Sequence, residues 1–99
     1  MSQKDAITVE KLLNEEQMDG KLGLYARVTI ASQATLDFHE HHGETETYYI
    51  LSGEGVYDDN GVKSPAKAGD VFFCKDGGGH GISCTSAEPL VFMALIIKA

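Results

Sequence analysis

The chain has 99 residues, 42% of them hydrophobic, which suits one domain with a single core and is too short for two. Its formal net charge is −7 and its sequence pI is about 4.8, so it lacks the basic surface that nucleic acid or an anionic membrane would need. No stretch approaches the roughly 18 apolar residues of a spanning helix, and the first residues carry no apolar leader segment. A cytoplasmic protein is expected, without nucleic-acid or membrane partners. Its two cysteines, Cys74 and Cys84, are then free thiols rather than a disulfide scaffold.

Residues 1–25 are predicted to form a lead-in, a strand or short helical segment packed on a domain formed by residues 26–99. The apolar spacing of "VEKLLNEEQM" (Val9 to Met18) suggests a helix that stops at Asp19-Gly20. After Gly20 the pattern is all-β. Runs such as "LYARVTI", "TYYIL", "DVFFC" and "LVFMALII" are rich in Val, Ile, Tyr and Phe and are separated by turn residues. In "YDDNGVK", Asn60-Gly61 has the residues of a two-residue type I′ hairpin turn. The link "CKDGGGHG" holds more glycine than a tight turn needs, so its backbone is expected to approach something closely. The last strand is apolar at nearly every position from Leu90 to Ile97, so both of its faces are expected to be covered. In so small a domain the second cover is most simply another copy of the chain, and a homodimer is expected.

Three of the four histidines fall within "HEHH". On a strand, the period of two in "TLDFHEH" sends Asp37, His39 and His41 to one face. On the returning strand Glu46, Tyr48 and Ile50 share a face, so Glu46 can meet the histidine pair. In "HGISC" the same period groups His80, Ile82 and Cys84. Three imidazole nitrogens and one carboxylate oxygen suit a single divalent transition metal ion, Fe, Mn, Ni, Co or Zn, with positions left for water or a small-molecule ligand. A histidine cluster beside a glycine turn is also the composition of a solvated polar loop. "HEHHG" is not a zincin helix, because Gly43 stands where the second histidine would fall. His42 is read as exposed, and Glu46 is favoured over Glu44 because Glu44 sits in the turn.

His39-x-His41, four residues, Glu46, six residues, Gly53 resembles the first motif of the cupin superfamily. "GDVFFCKDGGGHGISC" resembles the second, opened by Gly69-Asp70, with Gly77 at the turn and His80 at the metal-histidine position. The resemblance covers roughly Ala26 to Ile97. It implies a jelly-roll barrel of two antiparallel sheets, a metal at its centre held by His39, His41, Glu46 and His80, and commonly a homodimer. The sequence departs from the pattern in three places: Gln33 where the first motif usually begins with glycine, Lys75 where the second usually has proline, and Cys84 where it usually ends with asparagine.

Cupins have many activities, so the resemblance leaves function open. The reading taken from the residues is non-redox Lewis-acid chemistry of an isomerase, epimerase or lyase type on a small sugar, keto acid or hydroxy acid. The alternatives are a non-haem Fe(II) dioxygenase and a non-catalytic small-metabolite or carbohydrate-binding module. Tyr48 is the candidate proton carrier or hydrogen-bond donor. Cys84 is read as a small buried residue, or alternatively as a thiol neighbouring the metal. Because Arg27 is the only arginine, neutral or singly charged ligands are expected, selected by Tyr48 and the Gly77 to Gly79 loop.

Overall fold

A computed structural model describes residues 6–99. The first five residues of the expected lead-in lie outside the described residues. In chain order the elements are β1 (Ile7–Lys11), α1 (Glu15–Met18), β2 (Leu22–Ile30), β3 (Thr35–Glu40), β4 (Glu44–Ser52), β5 (Glu54–Asp59), β6 (Val62–Lys67), β7 (Val71–Cys74), β8 (Gly79–Cys84) and β9 (Leu90–Lys98). They form two antiparallel sheets, one ordered β1-β2-β9-β4-β7 and the other β3-β8-β5-β6. The all-β, two-sheet jelly roll expected from the sequence is the observed architecture.

The N-terminal segment differs from the helix read across Val9 to Met18. Ile7 to Lys11 instead pairs along β2, from Ile7 opposite Ile30 to Lys11 opposite Ala26, and the helix is confined to Glu15–Met18. A free strand edge offers ladder hydrogen bonds that outweigh a weak helical preference. The short helix is held at its start by a reciprocal cap between Asn14 and Gln17, and it ends at Asp19 with φ of 53°.

Alternation along the strands builds the core between the sheets. Tyr48 and Ile50 of β4, Tyr57 of β5, Ile82 and Cys84 of β8, and Leu90, Phe92 and Ala94 of β9 are all buried there. Burying each large apolar side chain contributes roughly 1.5–3 kcal/mol. The opposite side of β9 is also apolar: Val91, Met93 and Leu95 are only partly covered. Tyr49 lies between Met93 and Val71 in register, and Tyr49, Val71 and Phe73 are exposed. The outer face across β9, β4 and β7 therefore carries a patch of apolar side chains.

The hairpin turn matches the sequence reading. Asn60 and Gly61 have φ of 50° and 94°, as a type I′ hairpin requires between β5 and β6. Gln33, which stands where the family motif usually has glycine, has a positive φ of 69°. It is fixed there by its backbone N–H donating to the Cys84 carbonyl and its side-chain amide donating to the Thr85 carbonyl.

Candidate metal centre

Three strands deliver the site. β4 follows the expected parity, so Glu46 is buried on the same side as Tyr48 and Ile50. β8 does likewise for His80, Ile82 and Cys84. β3 does not alternate simply. Leu36 pairs with Ile82 and His39 with His80, so three steps on β3 face two on β8, with the irregularity at Asp37 and Phe38. The bulge lets both Leu36 and His39 turn inward and leaves Asp37 exposed. The expectation that Asp37 shares the histidine face is therefore corrected. Phe38 lies outside, over β8, where a Cβ at Gly79 would come within 2.3 Å of its ring.

His39, His41, Glu46 and His80 come together, each offering one ligand atom, and these four atoms lie within 4.8 Å of one another. His41 Nε2 is 2.8 Å from Glu46 Oε1, His80 Nε2 is 3.0 Å from it, and His39 Nε2 is 3.9 Å away. Each ring has a partner for its outer nitrogen. His41 Nδ1 meets Glu44 Oε2 at 2.6 Å, His39 Nδ1 meets the Asp37 carbonyl at 2.8 Å, and His80 Nδ1 meets the Tyr57 hydroxyl at 2.8 Å. An N–H at each Nδ1 leaves the Nε2 lone pair facing inward, the arrangement that metal-ligating histidines adopt. The chemistry of the donor set thus fits a divalent cation, and this cluster could hold one.

Burial is uneven across the cluster. The side chains of His41, Glu46 and His80 are 8%, 5% and 1% exposed, whereas His39 is 36% exposed and marks the side from which solvent reaches the centre. Burial works against the charged form of Glu46, but the close His39 imidazole, the hydrogen bond with His80 and the attraction of His80 and His41 outweigh it, lowering its pKa to about 2. The Glu46 carboxylate facing His39 Nε2 raises His39 above its ordinary value, against the opposing effect of burial.

The loop after β7 closes over β3 through backbone contacts. His41 N–H donates to the Gly78 carbonyl, and Gly77 N–H donates to the His41 carbonyl at 2.7 Å. Gly77 has φ of 85°, a conformation that favours glycine, and the close approach expected of the glycine-rich link falls at Gly79, against the Phe38 ring.

Other candidates fall into different places. His42 is exposed and lies 3.3 Å from Glu40, away from the cluster. Glu44 holds the outer nitrogen of His41. Tyr48 stacks on His80 at 4.8 Å, with its hydroxyl 3.5 Å from His80 Nε2, and burial pushes its pKa well above the usual phenol range. Cys84 is buried, but its thiol donates to the Glu88 carbonyl at 3.2 Å, four residues along β8 from His80, or roughly 13 Å of strand. That reading of Cys84 as a metal neighbour is corrected. Cys74 is the thiol opposite Glu46 in the β4–β7 register, and burial followed by the Glu46 charge raises its pKa. Tyr57 was not singled out from the sequence. In "GVYD" it reads as an ordinary strand aromatic, and only the pairing of β5 with β8 brings it to His80.

A family model described as a cupin domain matches residues 26–96, a span that includes all four clustered residues. The chain belongs to the cupin family. Over 94 residues, 95% of this cupin and 78% of the relative, it is 44% identical to an oxalate-binding protein from Thermotoga maritima (strain ATCC 43589 / DSM 3109 / JCM 10099 / NBRC 100826 / MSB8). The crystal structure of a predicted oxalate decarboxylase from Thermotoga maritima superposes with a TM-score of 0.91 at 43% identity, covering 94% of this cupin and 81% of that chain. KdgF from Halomonas sp. has a TM-score of 0.83 at 18% identity over 100% of this cupin and 84% of that chain, a likeness of fold alone. Among the described residues no helix is long and apolar enough to cross a membrane.

Proposed function

We propose that this cupin binds oxalate or a closely similar small dicarboxylate through one divalent transition metal ion held by His39, His41, Glu46 and His80. The observation that carries the reading is the four converging ligand atoms in a chain 44% identical, over 95% of its length, to an oxalate-binding protein. When bound, the ion supplies positive charge and coordination positions for two ligand oxygens.

The chain's own residues explain why an ion would be needed. Arg27 pairs with Glu10 at 2.9 Å on the β1–β2 edge, and the net charge is −7, so no arginine is offered to a dianion. The expectation of neutral or singly charged ligands assumed a side-chain cation as the counter-charge, and a metal removes that restriction. Tyr48, kept protonated by burial, donates its hydroxyl toward whatever occupies the space beside His80 Nε2. The solvent-exposed edge of His39 is the approach.

Binding is favoured over turnover because the nearby acids and bases are engaged. Glu46 belongs to the cluster, Glu44 holds His41, and burial raises the pKa of both Tyr48 and Tyr57 away from that of a useful base. The apolar outer face around Tyr49, Val71, Phe73 and Met93 supports a homodimer. The free thiols Cys74 and Cys84 suit a reducing compartment such as the cytoplasm.

Titration calorimetry with oxalate, malonate and acetate on metal-loaded and chelator-stripped protein tests the proposal. Oxalate should bind only the loaded form and more tightly than acetate. Equal binding by stripped protein, or none with Mn(II), Fe(II), Co(II), Ni(II) or Zn(II), would overturn it. Product release or oxygen uptake in the same samples would shift the reading to Lewis-acid catalysis or to dioxygenation respectively.

A further inference from the structure

We propose that Tyr57 is the positioning residue of the centre: its buried hydroxyl, 2.8 Å from His80 Nδ1, sets the His80 ring so that Nε2 faces His41 and Glu46. This rests on the metal-centre reading above and identifies the group on which its most buried ligand depends. A neutral imidazole offers Nε2 to a cation only when its proton sits on Nδ1, and a buried N–H needs an acceptor.

The three histidines differ in that acceptor. His41 has the Glu44 carboxylate and His39 has the Asp37 carbonyl, groups that only accept. His80 has a phenol, which both donates and accepts. The Tyr57 oxygen accepts from Nδ1–H when Nε2 faces a cation. It donates to bare Nδ1 when the ring proton lies on Nε2, directed at Glu46 Oε1 3.0 Å away. His80, with 1% of its side chain exposed, is shielded from the bulk solvent that could take over either role. Tyr57 therefore satisfies the outer nitrogen in either neutral tautomer, which neither a carbonyl nor a carboxylate could do.

Tyr57 is itself held by packing. It is 2% exposed, stacks on Phe72 at 4.2 Å and meets Tyr48 edge-on at 6.0 Å. Tyr57→Phe keeps that ring and removes only the hydroxyl, leaving His80 Nδ1 without a partner.

Two measurements on Tyr57→Phe test the assignment. Zinc affinity, by competition with a chromophoric chelator, should fall roughly 10- to 100-fold with the fold retained by circular dichroism. Long-range ¹⁵N–¹H spectra of the metal-free proteins should show altered ring shifts at His80 but not at His39 or His41. Phe72→Leu disturbs the packing and keeps the hydroxyl, so it should lower stability while changing zinc affinity by less than about threefold. A folded Tyr57→Phe with wild-type zinc affinity overturns the proposal, as does an equal affinity loss in Phe72→Leu. If Tyr57→Phe does not fold, the metal-free wild-type spectra decide: His80 Nδ1 shifts that show no hydrogen-bonded partner overturn the proposal. If the wild-type protein takes up no zinc, the metal-centre reading fails, and the metal-free spectra judge Tyr57 alone: unchanged His80 shifts overturn its role.

Discussion

His41 Nε2 and His80 Nε2 lie 3.0 Å apart, with Glu46 Oε1 within 2.8 Å of the first and 3.0 Å of the second. Lone pairs gathered this closely repel unless protons or a metal cation lie among them. One transition metal ion per chain is therefore expected from elemental analysis of untagged protein. His41→Ala should lower its affinity by at least about 100-fold, and His42→Ala should leave it unchanged. Equal loss in both variants would mean an adventitious surface cluster.

The pH dependence of the metal-free protein has two signs. The Glu46 pKa falls from 4.5 unfolded to about 2 folded, so its contribution is present above 4.5 and is lost as pH falls toward 2. The His39 pKa is raised from 6.5, so its contribution is present below 6.5 and is lost as pH rises through the folded value. Thermal melts should show the metal-free protein most stable between these limits. Because a ligating imidazole must be deprotonated, the stabilisation added by zinc should grow as pH rises past His39. A metal-free stability that climbs steadily into the alkaline range would contradict the His39 assignment.

Tyr48→Phe separates ligand from metal. The ring still packs against His80 and Phe92, so metal content should stay near wild type, while calorimetric affinity for oxalate should drop about tenfold from the loss of one hydrogen bond of roughly 1.4 kcal/mol. An unchanged oxalate affinity would remove Tyr48 from the ligand's surroundings.

Gly53 and Gly61 both have positive φ, 82° and 94°, but differ in surroundings. A Cβ on Gly53 would lie 2.3 Å from the Pro89 carbonyl oxygen, whereas one on Gly61 would meet nothing within 4 Å. In urea unfolding, Gly61→Ala should cost about 1 kcal/mol from backbone strain alone, and Gly53→Ala about 3 kcal/mol or more from strain and collision together. Similar costs for the two would show that the β4–β5 turn yields.

Light scattering should give twice the 10.7 kDa chain mass. Phe73→Glu, on the apolar outer face where Phe73 is 57% exposed, should yield monomers that keep their metal. A wild-type monomer at micromolar concentration would leave that face without a second copy.

Much of the barrel was legible because strand parity is a local property. Glu46, Tyr48 and Ile50, and likewise His80, Ile82 and Cys84, point inward as a period of two dictates. What escaped was set by partners distant in sequence. Val9, Leu12 and Leu13 have a helix-like spacing, yet β2 draws Ile7 to Lys11 into a strand. Asp37 lost its expected face to a bulge visible only against β8. Tyr57 is 23 residues from His80, and nothing near it hints at an imidazole. The oxalate reading came from likeness to a relative, since no residue pattern here encodes two carboxylates.

The bulge in β3 makes an unusual forecast about deletion. Removing Phe38 would leave Leu36 and His39 two positions apart, the spacing of an uninterrupted strand, so both would still point inward. The same shortening would draw the Asp37 carbonyl into the ladder and away from His39 Nδ1, which it now meets at 2.8 Å. A chain one residue shorter would thus keep its inward-facing pattern while the cluster's most exposed imidazole swung loose. In this strand, irregularity is what aims the main chain at a side chain.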